Sequence, residues 1–259
     1  GSPEKVEANP MLGMHGIRSS LKNPEILRAE LNAMKRVSDN KKGKSIGILV
    51  PQVISLEEVK KLKNILKEIN FRNAKVGVMI ETPASVQIIR EICEEGIDFI
   101  SFGTNDLTQY TLAVDRGNEQ VQSLYDDLHP SVLSQLAYVI KICKENNVET
   151  SICGQAGSKK EMVKFLVERG IDSISVNADV AGDMAEYIAG LEKRTAETAE
   201  SREMEEPEKG ETKMVLEGYE KDLSKEMEIK KYAGLDDELP VIPGTEYTKT
   251  EENVEETLD

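Results

Sequence analysis

The stretch Gly96–Asn118 contains the side chains best suited to chemistry. An apolar run, Phe99–Phe102, is followed by a Gly-Thr-Asn-Asp turn that ends at Asp106, and the stretch continues through Arg116. A β-branched and aromatic run broken by a glycine is typical of a buried parallel strand, and α/β folds place chemistry at the C-terminal ends of such strands. We expect Asp106 to bind a divalent cation, with Asn105 and Arg116 holding an anionic substrate beside it.

The same residues allow a simpler interpretation. Asn and Asp are common at the start of a helix, and Arg116 could be an ordinary surface residue. The turn alone does not separate a helix start from a binding site. Both interpretations therefore stay open at this point.

Polar residues also follow nearly all of the remaining predicted strands. Glu81 follows Val76–Ile80, Gly154 and Gln155 follow the strand that ends at Cys153, and Asn177 follows Ile171–Val176. Because the C-terminal ends of parallel strands meet at one edge, we expect a common site there.

Strand and helix patterns alternate about five times, which indicates parallel strands joined by crossover helices. The predicted strands are Ile46–Val50, Val76–Ile80, Phe99–Phe102, Thr150–Cys153 and Ile171–Val176. The predicted helices run from Pro24 to about Arg36, from a cap at Ser55, and over Ala84–Glu95, Pro130–Glu145, Ser158–Arg169 and Ala181–Leu191.

This alternation predicts an α/β fold of the (β/α)8 TIM-barrel type. A complete barrel takes ~250 residues, whereas about 190 residues carry the pattern here and no strand signal precedes Asn9. We therefore expect a barrel that lacks its first strands. The predicted domains are a lead-in at 1–8, a barrel portion at 9–194 and an acidic, largely irregular tail at 195–259.

The charge is concentrated in that tail. The whole chain has a net charge of −15, and the 21 acidic and 8 basic side chains after Arg194 account for −13 of it. A protein that binds nucleic acid nonspecifically needs a basic surface, so the sequence predicts no nucleic-acid partner.

The remaining composition indicates a cytoplasmic protein without a membrane segment. No apolar run approaches the roughly 18 residues that a transmembrane helix needs, and no signal-peptide pattern is evident. Cys93, Cys143 and Cys153 are odd in number and lack CxxC spacing, so neither a disulfide framework nor a zinc site is indicated.

Several motifs occur in the order found in the phosphoenolpyruvate (PEP)-utilising enzymes. SFGTNDLTQYTLAVDRGN, the preceding GVMIETPAS, the early NPMLG, and the later TSICGQAGS and GIDSISVNADV resemble their PEP/pyruvate-binding barrel, from about Asn9 to Glu192. That family includes PEP synthase (pyruvate, water dikinase), pyruvate phosphate dikinase and enzyme I of the sugar phosphotransferase system. ICGQA and GIDSISVN are most similar to the synthases.

The resemblance implies roles for individual residues. Glu81 and Asp106 match the two ligands of Mg²⁺, and Cys153 matches the group that exchanges a proton with the methyl carbon of the substrate. The substrate-binding residues implied by the match are His15, Arg18, Gly103, Thr104, Asn105, Arg116 and Gln155.

The implied reaction is phosphoryl transfer between a phosphohistidine and the enolate of pyruvate. The family's ATP-grasp and phosphohistidine domains have no counterpart in this sequence, so we expect them as partners, in the same polypeptide or as a separate chain. The family usually has Arg at the position of His15, and histidine cannot reproduce a bidentate guanidinium clamp.

Two other functions fit the sequence. Enzyme I shares the barrel chemistry but phosphorylates a carrier protein. The replacement at His15 and the missing strands also fit a binding or regulatory module on a decayed barrel, with the tail as its working part. An incomplete barrel would expose apolar surface, so we expect a homo-oligomer or another partner.

Overall fold

The computed structural model describes residues 7–40 and 46–204, with side chains up to Arg194. The chain divides into two units, Gly1–Ala199 and Glu200–Asp259, and the fold below is that of the first. The predicted lead-in up to residue 6 and the predicted tail beyond Met204 lie outside the described residues.

Five parallel strands form one sheet in the order in which they occur along the chain. The strands are β1 Ile46–Val50, β2 Ala74–Ile80, β3 Phe99–Gly103, β4 Glu149–Cys153 and β5 Ser173–Ile174. This arrangement confirms the prediction of an α/β fold with a parallel sheet.

Two helices precede the first strand, and the others connect consecutive strands or follow the last one. They are α1 Gly16–Lys22, α2 Pro24–Asn40, α3 Leu56–Glu68, α4 Pro83–Gln87, α5 Ile89–Glu94, α6 Thr104–Leu112, α7 Pro130–Glu145, α8 Lys160–Val167 and α9 Ala181–Met204. Short 3-10 helices cover Pro10–Leu12, Gln122–Leu124, Gln155–Ser158 and Ala178–Val180. Among the described residues, no helix is both long enough and apolar enough to cross a bilayer.

The register of the central strands separates an apolar face of the sheet from a polar one. Ile80, Phe102 and Ile152 lie side by side on β2, β3 and β4, and each is fully buried in the hydrophobic core. Side chains alternate between the two faces along a strand. Gly103 and Cys153, which are paired in register, therefore lie on the opposite face, away from the hydrophobic core formed by Ile80, Phe102 and Ile152.

Helix boundaries differ from the sequence prediction in several places. The predicted helix Ala84–Glu95 is divided into α4 and α5 at Ile88, whose backbone leaves helical geometry (φ −102°, ψ 19°). Helix α6 begins within the turn, at Thr104. Helix α9 continues beyond the predicted end of the ordered domain, through Met204, because Ala, Glu, Arg and Met favour helix without needing a long apolar face.

Strand β5 is shorter than the predicted Ile171–Val176. The amide of Ile171 donates to Leu166 O at the end of α8. The carboxylate of Asp172 accepts hydrogen bonds from both the amide and the hydroxyl of Thr150, each at 2.7 Å. The amide of Asp172 also donates to Thr150 O at 3.1 Å, so the chain joins β4 at this residue and β5 itself begins at Ser173.

Gly157 allows the segment after β4 to pack closely against the chain after β5. A Cβ atom at this position would lie 2.4 Å from the backbone oxygen of Ser175, and a backbone atom cannot rotate away. We predict that Gly157→Ala lowers the free energy of unfolding by about 1–3 kcal/mol, measured by urea denaturation.

Gly190→Ala is the matched control, because nothing lies within 4 Å of a Cβ atom there and alanine favours the helix by about 1 kcal/mol. If both substitutions changed stability equally, the close approach at Gly157 would be wrong.

Candidate functional site

A cavity of about 160 Å³ lies at the C-terminal ends of β2, β3 and β4. It brings together seven of the ten residues that the sequence assigned to a site. Its lining comprises Met79, Glu81, Gly103, Thr104, Asn105, Asp106, Arg116, Cys153 and Gly154. These residues come from the ends of three different strands and from the segment after α6, as expected for a site at strand ends.

Glu81 directly follows β2 and is buried, with 5% of its surface exposed. Its Oε1 accepts a hydrogen bond of 2.7 Å from the backbone amide of Gln52. A Cβ atom at Gly103 would lie 2.7 Å from Oε2 of Glu81. The glycine at the end of β3 is therefore what leaves room for this carboxylate.

Asp106 lies in the first turn of α6, and its side chain is 20% exposed. Its Oδ2 accepts a hydrogen bond of 3.0 Å from Nε2 of Gln52. Arg116 places Nη2 at 3.3 Å from Oδ1, but Oδ1 makes no hydrogen bond within the described part of the chain. The helix start that the sequence left as one alternative is therefore present, and it lines the cavity.

The surroundings of Glu81 disfavour its charged form. The pKa of this carboxyl is raised from 4.5 to about 7, mainly by burial and to a smaller extent by the nearby charge of Asp106, while the hydrogen bonds from Gln52 act in the opposite direction. A cation beside Glu81 would favour its charged form.

Cys153 ends β4, with its thiol lining the cavity. The thiol lies 3.4 Å from Phe102 O, and the hydroxyl of Thr104 lies 3.5 Å from Cys153 O. By contrast, Cys93 and Cys143 lie in the core with their sulfurs 3.9 Å apart. Cys153 is therefore the thiol in a position to meet a ligand.

The segment before α7 contacts the turn between β3 and α6 and holds it in place. The hydroxyl of Tyr125 donates to Asn105 O at 3.2 Å. Two residues further on, the buried carboxylate of Asp127 accepts hydrogen bonds of 2.7 and 2.8 Å from Nζ of Lys159. Because Lys159 precedes α8, these contacts link the turn to the segment that follows Cys153.

Three predicted site residues do not line this cavity. Arg18 donates to Gly13 O at 3.1 Å and lines a separate cavity of about 160 Å³ together with Gln52. His15 precedes α1, and both of its ring nitrogens are buried without a hydrogen-bond partner among the described residues. Gln155 is exposed.

The donor set suits a hard divalent cation. Within residues 7–40 and 46–204 no cluster of three or more His, Cys, Asp or Glu side chains could hold a metal, and Glu81 and Asp106 are two carboxylates that line one cavity. Each has one oxygen held by Gln52, and the buried Oδ1 of Asp106 lacks a hydrogen bond. Mg²⁺ is usually bound in this way, by one or two carboxylates plus substrate and water oxygens.

Sequence reasoning missed Gln52 as a member of the site. It directly follows Pro51 at the end of β1, so the rule that polar residues follow strands could have identified it. Its left-handed backbone (φ 57°) has no sequence signal in a non-glycine residue.

The chain is similar to a known family and to several named proteins. A family model described as "PEP-utilising enzyme, PEP-binding domain" matches residues 2–191. The chain is 50% identical over 197 residues to a phosphoenolpyruvate synthase of Pyrococcus furiosus and 50% identical over 196 residues to a probable phosphoenolpyruvate synthase of Archaeoglobus fulgidus. It is 41% identical over 182 residues to a phosphoenolpyruvate-protein phosphotransferase of Buchnera aphidicola.

These matches cover 75%, 75% and 66% of this chain but 24%, 26% and 31% of the three relatives. The chain thus spans about a quarter of the length of the synthases. Among solved structures, a citrate lyase from Burkholderia xenovorans superposes with a TM-score of 0.43 at 14% identity, over 58% of this chain and 49% of that one; the likeness adds nothing to the fold described above.

The burial of Glu81 predicts a pH-dependent stability of the metal-free protein. Its pKa is raised from 4.5 to about 7, so the folded state binds this proton more tightly than the unfolded state. The resulting stability is fully present below pH 4.5 and is lost as pH rises through about 7, by at most about 3 kcal/mol. We expect the unfolding free energy of the wild type, minus that of Glu81→Gln, to fall across this window in urea titrations with EDTA. A difference that stays flat from pH 4 to 8 would contradict the raised pKa.

Proposed function

Because the chain belongs to the PEP-utilising enzymes, matched over their PEP-binding domain, we propose that it is the PEP- and pyruvate-binding part of a PEP synthase. The reaction type is that of pyruvate, water dikinase, a phosphotransferase. The observation that carries the proposal is the shared cavity of Glu81, Asp106, Arg116 and Cys153. The cavity is lined by two carboxylates, one guanidinium group and one thiol.

Each of these residues has a role in the proposed reaction. Glu81 and Asp106 hold Mg²⁺, which when bound supplies a Lewis acid for negative charge on the substrate's oxygens. Cys153 exchanges a proton with the methyl carbon of pyruvate, because a thiol can act as a general acid or base.

The cationic and amide side chains bind the anionic substrate in this proposal. Arg116 lies next to Asp106 and faces the same cavity, and Asn105 supplies a neutral amide beside it. Gly103 and Thr104 form the floor of the site between the strands. Arg18, His15 and Gln155, outside this cavity, are proposed to reach the phosphate when the site is occupied.

The sheet is proposed to be an arc of a (β/α)8 barrel. A doubly wound sheet reverses its strand order at a switch point, whereas β1 to β5 are neighbours in sequential order without reversal. The site at the C-terminal ends of successive strands also agrees with a barrel. The strands that complete it are expected elsewhere in the whole enzyme.

The partners follow from the length of the relatives. Since this chain spans about a quarter of each synthase, we propose that a phosphohistidine domain and an ATP-grasp domain deliver the phosphoryl group to this cavity. The enzyme is further proposed to be cytoplasmic and homo-oligomeric.

The phosphotransferase relatives support an alternative in which the phosphoryl group passes to a carrier protein. Their identity is 41% against 50% for the synthases, which favours the synthase.

The proposal predicts that metal binding and proton transfer can be separated by mutation. In D₂O with Mg²⁺, the methyl protons of pyruvate should exchange for deuterium, as followed by NMR. Cys153→Ala should slow the exchange by about 10²–10⁴-fold but leave calorimetric binding of oxalate, an enolate mimic, intact. Asp106→Asn should lose both.

The two variants serve as controls for each other, because they differ in whether oxalate still binds. Exchange at the wild-type rate in Cys153→Ala would remove the thiol from the mechanism. Oxalate binding by Asp106→Asn at wild-type affinity would remove the proposed metal site.

A further inference from the structure

Gln52 contacts both carboxylates of the candidate site. Its backbone amide donates to Oε1 of Glu81 at 2.7 Å, and its side-chain Nε2 donates to Oδ2 of Asp106 at 3.0 Å. The residue is 97% buried, with 3% of its surface exposed. A single residue between β1 and α3 therefore connects acids that follow β2 and β3.

The chemistry of the amide determines how it can be oriented. A carboxylate can only accept hydrogen bonds, so the amide must present its NH₂ group to Asp106. The carbonyl oxygen, Oε1, then faces the hydroxyl of Tyr110 at 3.3 Å. An aliphatic residue would leave Oδ2 of Asp106 without this donor, and a glutamate would place a third negative charge beside the pair.

The contacts leave one oxygen of each carboxylate available to a ligand. Oε2 of Glu81 points to the end of β3, where a Cβ atom at Gly103 would lie 2.7 Å away. Oδ1 of Asp106 is buried and has no hydrogen-bond partner within the described residues, although Nη2 of Arg116 lies 3.3 Å from it. The oxygens held by Gln52 and the oxygens left for a cation are thus different atoms.

The backbone of Gln52 adopts an unfavourable conformation to reach this position. Its φ of 57° lies in the left-handed region, which favours glycine over residues with a side chain. The neighbouring Gly16 has a φ of 58° and would place a Cβ atom 2.6 Å from Cβ of Gln52. Strained backbone of this kind is found at functional sites, where surrounding contacts hold it.

We propose that Gln52 is a positioning residue that holds one oxygen of Glu81 and one oxygen of Asp106, and thereby directs their other oxygens to a shared divalent cation. This inference rests on the magnesium site proposed above. Residues that orient metal ligands in this way affect metal affinity by about 10–100-fold.

The test is Mn²⁺ binding to the full chain, measured by electron paramagnetic resonance, with the metal alone as the probe. Manganese prefers the same oxygen ligands as magnesium. Gln52→Gly retains the backbone donor to Glu81, removes the donor to Asp106 and suits the left-handed backbone. We expect its dissociation constant for Mn²⁺ to rise about 10–100-fold, with a thermal unfolding midpoint no lower than that of the wild type by more than a few degrees.

Asn147→Gly is the matched control, since Asn147 is an exposed residue with a φ of 55° after α7; its Mn²⁺ affinity should equal that of the wild type. Gln52→Leu, which keeps the bulk of the side chain, provides a second variant that also loses the donor and should weaken binding by a similar factor.

Two results would overturn the inference in distinguishable ways. Wild-type Mn²⁺ affinity in Gln52→Gly or Gln52→Leu, together with loss of binding in Asp106→Asn, would reject the role of Gln52 and leave the metal site standing. Absence of Mn²⁺ binding by the wild type, or unchanged binding by Asp106→Asn, would reject the metal site and the role of Gln52 with it.

Discussion

The structure depends on keeping two negatively charged side chains close together at the ends of neighbouring strands. Burial and mutual repulsion both oppose the charged state of Glu81, whose pKa rises to about 7. The fold compensates with hydrogen bonds from Gln52 and with the guanidinium of Arg116 beside Asp106. These compensations are partial, because the pKa of Glu81 remains raised, and such a pair of carboxylates is suited to a cation.

The sheet supplies this arrangement through its register. Core residues such as Ile80 and Phe102 pair on one face, and the following positions carry Glu81 and Gly103 on the other. Because glycine has no side chain at the end of β3, the carboxylate from β2 fits beside it. Cys153 pairs with Gly103 between β3 and β4. Its side chain lies on the same face of the sheet because successive side chains of a strand alternate between the two faces.

Much of the site could be predicted from the sequence, because strand ends in parallel sheets converge. Glu81, Asp106 and Cys153 are separated by up to 72 positions in the chain, yet the alternation of strands and helices places them at one edge. The place of Gln52 after β1 follows the same rule, but its contacts with both carboxylates and the role of Tyr110 could not be predicted in this way. Gln52 depends on a left-handed backbone conformation, and the hydroxyl of Tyr110 contacts Met11 O, 99 positions away; neither leaves a periodic pattern. Helix α9 exceeded its predicted end because helix propensity alone can extend an element beyond its apolar face.

The central claim is that Glu81 and Asp106 share one divalent cation. Its most direct test is the anomalous diffraction of crystals of the chain grown with Mn²⁺ and oxalate. The account predicts one anomalous peak between the two side chains, with a carboxylate oxygen of each about 2.0–2.3 Å from the metal. A peak that one of these carboxylates does not reach, or no peak in the cavity with oxalate bound there, would contradict it.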